Sequence, residues 1–174
     1  MLSKKMQKAL CDQVTAEHYS AYLYLGMSAY FNSIDLPGFA NWMYIQAQEE
    51  LVHGIAIYHQ IHERNGEVTL NTIEAPPKKW KSPVDVFENT CSHEQKVTAS
   101  INNLVNLAIE EKDHATNNFL QWYVKEQVEE EATAYAILQK LKMMKDAPGG
   151  IFMMDKELGA RVFTMPSIMA ASAD

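Results

Sequence analysis

Four segments of this chain carry an apolar stripe at helical spacing, and each stripe is interrupted near its middle by a glutamate: Glu17, Glu50, Glu94 and Glu130. Steps of three and four residues keep a stripe on one helix face. Four such helices can bury their stripes only against one another, which predicts an all-α four-helix bundle. The four carboxylates then fall in the core, where anions need a cation.

Ser3 is placed to cap a first helix running to about Asn32, with Leu10, Val14, Ala21, Tyr24, Ser28 and Phe31 flanking Glu17 in the stripe. Pro37 suits the first turn of a second helix, with Asp35 as its cap. Its stripe is Phe39, Met43, Ala47, Glu50, His53 or Gly54, Ile57 and Ile61, and Asn65-Gly66 ends it. Ser82-Pro83 opens a third helix with Val84, Phe87, Cys91, Glu94, Thr98, Ile101, Val105 and Ala108 in its stripe. A turn near Lys112-Asp113 leads to a fourth, carrying Leu120, Tyr123, Gln127, Glu130, Ala134, Ile137, Leu141 and Met144. Pro148-Gly149-Gly150 stops it, and a short fifth helix is expected from about Met154 to Phe163. Residues 1–164 read as one domain and 165–174 as a flexible C-terminal tail.

Between the second and third helices, the stretch from Glu67 to Lys81 has no helical period and contains Pro76-Pro77. Short turns make the flanking helix pairs antiparallel hairpins, and an extended stretch of this length can run back along helices of about 40 Å. One long crossover follows. Levels come by subtraction: Glu17 precedes Asp35 by 18 positions and His53 follows it by 18, while Glu94 and Glu130 stand 18 either side of Lys112. The two hairpins repeat one arrangement.

Glu50 and His53 are three apart on one face, as are Gln127 and Glu130. With Glu17 and Glu94 they bring four carboxylates, one imidazole and one amide to one level. No Lys or Arg stands in the stripes there. Like charges cannot all stay ionised in a dry core without a cation, and two divalent or trivalent metal ions would neutralise them. Oxygen donors with one imidazole suit iron or manganese, with zinc a competitor. A single Glu in a stripe is usually a surface residue out of phase. Six polar residues at one level on four helices are not independent accidents.

The remaining composition sets the background. A net charge of −7 disfavours a nucleic-acid surface. Two cysteines, Cys11 and Cys91, without a CxxC pair read as a reduced, cytoplasmic protein. No apolar run follows the basic start or reaches the roughly 18 residues of a membrane span.

The motifs Glu17-His18-Tyr19-Ser20, Ala47-Gln48-Glu49-Glu50-Leu51-Val52-His53, His93-Glu94-Gln95 and the run from Phe119 to Gln127 resemble those of the ferritins, within them the bacterial and archaeal non-haem ferritins. The resemblance spans about Leu2 to Val162. It implies an iron-storage protein with ferroxidase activity, using O2 or H2O2, and a homo-oligomeric shell of 24 subunits around a ferric mineral. Glu17, Glu50 and His53 would hold one iron, Glu94 and Glu130 the second, with Glu50 bridging and Gln127 beside them for oxygen species or water. Tyr24 would donate an electron or a hydrogen bond, with Trp122 close by. Glu49, Glu126 and Glu129 would supply a third iron position.

Some positions depart from the wider family. Haem-binding bacterioferritins resemble this chain less, because Leu51 stands where they carry Met and Glu130 where they carry His, so no haem is expected. The turn Thr116-Asn117-Asn118 lacks the acidic pore residues of animal ferritins, leaving Asp113 or His114 as candidates at an iron access path. A rubrerythrin-like peroxidase would need a four-cysteine module that Cys11 and Cys91 cannot build. A mini-ferritin-like cage would place its metal between subunits and lack a fifth helix.

Overall fold

The computed structural model describes residues 2–144, 147 and 149–170, and every regular element among them is helical. The order is α1 Lys4–Ser33, α2 Pro37–Glu63, α3 Pro83–Glu110, α4 His114–Met143, α5 Gly150–Leu158 and α6 Ser167–Ala170. The first two helices form one hairpin, α3 and α4 the other, and α5 packs against α2. No described helix is long and apolar enough to cross a membrane.

The two hairpin turns and the start of the crossover share one device. Asp35, Asn65 and Lys112 each adopt a left-handed φ of 57°, 55° and 58°. The amide of the residue after each reaches back to the third-last carbonyl of its helix: Leu36 to Phe31 at 3.1 Å, Gly66 to Ile61 at 2.8 Å, Asp113 to Ala108 at 2.8 Å. These are Schellman closures, which satisfy carbonyls that the helix end would leave unpaired. Asp35 therefore ends α1 and does not cap α2, as the sequence had suggested. The amides of Gly38 and Phe39 donate instead to Asp155 Oδ1 of α5, at 2.8 and 3.0 Å. Glycine is required at this contact, since a Cβ on Gly38 would lie 1.7 Å from the Asp155 carbonyl oxygen.

Ser3, Ser82 and Asp113 cap α1, α3 and α4 by accepting from the amides of Met6, Asp85 and Thr116 at 2.9, 3.1 and 3.1 Å. Arg64 grips Asp113 with both guanidinium arms at 3.0 and 3.2 Å, tying the α2 end to the α4 start. Asp113 is thus occupied as a cap and an ion-pair partner. The crossover is extended and lies along α1. Glu67 meets Gln7, Asn71 meets Thr15 and Asp12, and Pro76 rests against Gly26.

Two apolar clusters fill the bundle. One gathers Met27, Phe31, Phe39, Met43, Phe87 and Leu141; the other gathers Met6, Leu10, Ile57, Ile61, Ile101 and Leu120. Glu17, Glu50, His53, Glu94, Gln127 and Glu130 are buried but belong to neither. A polar layer separates two hydrophobic halves.

Two further expectations differ from the structure. In α3 the buried line is Phe87, Thr90, Glu94, Val97, Ile101, Leu104 and Ala108, with Cys91, Thr98 and Val105 only half-buried beside it. The helix turns its face by about a residue because its two flanks are similarly apolar. The fifth helix begins at Gly150, four residues early, where Gly149 has φ 80°, and it ends at Leu158 before Gly159. Pro148 and residues 171–174 lie outside the described residues. Residues 165–170 return to the bundle, with Trp122 Nε1 donating to Ser167 Oγ at 3.0 Å and Ile168 packed on the second cluster.

Candidate metal centre

Each bundle helix buries its interrupting glutamate, but among the described residues only Glu17, Glu50 and His53 gather as one metal-ligating group, with Glu130 joined to Glu50 through Gln46 and Glu94 held by Tyr24 and Gln127. Glu17, Glu50 and His53 each offer a ligand atom within 4.8 Å of the other two. The His53 imidazole has Nδ1 3.5 Å from Glu50 Oε2, and its buried Nε2 has no hydrogen-bond partner among the described residues. An edge contact with Trp122 at 5.2 Å holds the ring, and Tyr123 donates to the His53 carbonyl at 2.7 Å.

Amides and a phenol dress the carboxylates. Gln13 Nε2 donates to Glu17 Oε1 at 2.8 Å. Gln46 Nε2 reaches Glu130 Oε2 at 2.7 Å and Glu50 Oε1 at 3.4 Å, so one NH2 group links two helices. Glu94 accepts from the Tyr24 hydroxyl and from Gln127 Nε2, the latter at 3.2 Å. Tyr24 is fully buried, edge-on to His93 at 5.9 Å, and His93 Nε2 stands 2.8 Å from Ser20 Oγ.

Burial pushes the carboxyls of Glu17, Glu50, Glu94 and Glu130 above the usual carboxylate range. Repulsion adds to it: Glu50 acts on Glu17, Glu94 acts on Glu50, and both act on Glu130. Burial and then the Glu94 charge likewise raise the Tyr24 phenol. The layer holds more negative charge than its surroundings can stabilise, which is the condition that a bound cation relieves. Hard oxygen donors with one imidazole nitrogen fit ferrous or ferric iron.

The three further glutamates stand differently. Glu49 is half-buried and ion-paired with Arg161, Glu126 is half-buried, and Glu129 is exposed. Leu51 is 43 % exposed on the outer side of α2. Gln13, Gln46 and Arg161 do not figure among the residues predicted for the site. The two glutamines had a signal, since each stands four residues before a buried glutamate and so shares its face. Arg161 had none, because it lies beyond the bundle helices whose stripes define the core.

The Ferritin-like domain family matches residues 7–144. A bacterial non-heme ferritin from Bacteroides fragilis (strain 638R) is 45 % identical over 161 residues, covering 92 % of this chain and 100 % of that one. One from Staphylococcus aureus (strain USA300) is 38 % identical over 163 residues, covering 94 % and 98 %. Among solved structures, a closed form of the Archaeoglobus fulgidus ferritin engineered by site-directed mutagenesis superposes with a TM-score of 0.93. It is 51 % identical, covering 94 % of this chain and 100 % of that one. An open-pore ferritin from the same archaeon gives 0.92 at 50 % identity, covering 93 % and 100 %. Fold, polar layer and relatives agree: the chain belongs to the ferritin family.

Proposed function

We propose that this protein stores iron, oxidising Fe(II) at a di-iron centre inside each subunit and depositing Fe(III) as a mineral within a homo-oligomeric shell, by family expectation one of 24 subunits. The observation that carries the reading is the buried layer of four carboxylates with an imidazole nitrogen that has no partner among the described residues. Glu17, Glu50 and His53 take one iron, Glu94 and Glu130 the other, and Glu50 bridges. Two Fe(II) ions supply one electron each, and dioxygen takes both with two protons to give hydrogen peroxide. Anionic hard donors favour the ferric product, since they stabilise the higher charge.

Gln127, hydrogen-bonded to Glu94, is placed to hold water or an oxygen species. Tyr24 acts on the second iron through Glu94, by hydrogen bonding or by electron donation. Glu49, Glu126 and Glu129 form the flank on which a third ion would rest. Haem has no part in this reading. A shell accounts for apolar surface on α1, where Tyr22 and Leu25 are 49 % and 45 % exposed. A cytoplasmic setting is consistent with free Cys11 and Cys91.

The test is rapid-mixing absorbance of anaerobic Fe(II)-loaded protein against air. The wild type gives a fast oxidation phase and later a mineral core; Glu50→Ala loses the fast phase by at least about a hundredfold, as expected when a bridging ligand is removed. Equal rates in the two proteins would contradict the assignment.

A further inference from the structure

Thr98 and Ser100 stand on the two flanks of α3, which packs against α1 on one side and α4 on the other. Two positions along a helix turn the chain by about 200°, so the pair faces opposite neighbours. Both residues are half-buried. Toward α1, Ser100 Oγ donates to Gln13 Oε1 at 2.5 Å, and Gln13 Nε2 donates to Glu17 Oε1 at 2.8 Å. Toward α4, Thr98 Oγ1 donates to Glu131 Oε1 at 2.5 Å and accepts from Gln127 Nε2 at 3.3 Å. The same Nε2 donates to Glu94 Oε2 at 3.2 Å and reaches the Glu94 carbonyl at 3.4 Å. Each chain runs from a carboxylate through an amide to a hydroxyl.

These contacts have a direction. A glutamine amide carries an acceptor at one end and a donor at the other, and half a turn about its last torsion exchanges them. Ser100 gives its hydrogen to the Gln13 oxygen, which holds that oxygen on α3 and turns the NH2 group to Glu17. Thr98 has one hydroxyl hydrogen, already engaged by Glu131, so toward Gln127 it accepts and draws the NH2 group to the side where Glu94 stands. Flipping either amide would set a carbonyl oxygen against a buried carboxylate, a repulsion that a dry layer screens poorly.

We infer that Ser100 and Thr98 are positioning residues for the metal centre, each hydroxyl setting one half of it through one glutamine: Ser100 through Gln13 on Glu17, Thr98 through Gln127 on Glu94. An NH2 group fixed on one carboxylate lone pair decides which oxygen is left to face a metal ion, and outer partners of this kind tune how tightly a ligand holds. The two chains share no residue, so one helix adjusts the halves separately. The inference rests on the iron-pair reading, in which Glu17 and Glu94 serve different ions.

Crystals of the whole protein soaked anaerobically in a rising series of Fe(II), with anomalous scattering at the iron edge, give the occupancy of each half. The quantity that decides is the ratio of the two apparent affinities. Ser100→Ala is expected to shift that ratio about tenfold against the Glu17 half and Thr98→Val about tenfold against the Glu94 half, the lower end of outer-partner effects. Ser100→Thr and Thr98→Ser, which keep the hydroxyl, restore the wild-type ratio. Should Thr98→Val not fold, Glu131→Ala serves: it frees the Thr98 hydrogen to turn on Gln127 and shifts the ratio in the same direction. A merely structural role would lower stability and leave the ratio where it was. An unchanged ratio in the folded variants, a shift in one direction for both Ser100→Ala and Thr98→Val, or a shift that the hydroxyl-keeping variants reproduce overturns the inference while leaving the pair intact. A wild type without iron at Glu17 and Glu94 overturns the pair reading and this inference with it.

Discussion

Tyr24 shows how single residues tune the polar layer. Its hydroxyl, buried two turns beyond Glu17, donates to Glu94, whose other oxygen is held by Gln127. Tyr24→Phe leaves a buried carboxyl short of one donor, which costs about 1–3 kcal/mol. Chemical denaturation of the metal-free protein should register that loss, and unchanged stability would mean that the bond carries no weight. The four glutamates, His53 and Gln127 were legible in the sequence because each breaks an apolar period. Gln46 and Gln13 read as ordinary polar residues until the fold turned their amides onto carboxylates. Arg161 was illegible, since nothing local predicts that a residue after the fifth helix reaches the second.

At the scale of elements, helix ends are less legible in the sequence than helix faces. Polar residues mark the three turns, but the sequence does not say which helix each residue serves. The sequence offers Asp35 as a cap for α2, but Asp35 closes α1, and the partner of the α2 amides is Asp155, 117 positions away from Gly38. Long-range capping leaves no local pattern. The same turns carry a testable cost: Lys112 holds a left-handed φ of 58°, a conformation that glycine adopts without Cβ strain. Lys112→Gly should therefore stabilise the protein by about 0.5–1 kcal/mol, read as a raised denaturation midpoint at unchanged slope. A lower midpoint would show that the lysine side chain contributes more than its backbone costs.

For the whole molecule, the polar layer makes metal-free stability depend on pH. Glu17, Glu50, Glu94 and Glu130 all have carboxyls raised in the folded state, so the native protein binds protons more tightly than the unfolded chain. Their contribution is complete below the unfolded carboxylate pKa of about 4.3 and is lost as pH rises through the folded values. As pH rises above the ordinary carboxylate range, the melting temperature of the metal-free protein should fall, and less steeply in Glu50→Gln, which removes one titrating group. Equal slopes would indicate that Glu50 does not titrate in the fold. Bound metal replaces those protons and stabilises the native state in turn. The most direct test of the iron-pair account is a single-turnover titration: anaerobic protein is loaded with rising Fe(II) and mixed with air. The amplitude of the fast phase should saturate at two Fe(II) per subunit, as a paired two-electron centre requires. An amplitude that saturates at one, or rises without a break, would contradict it.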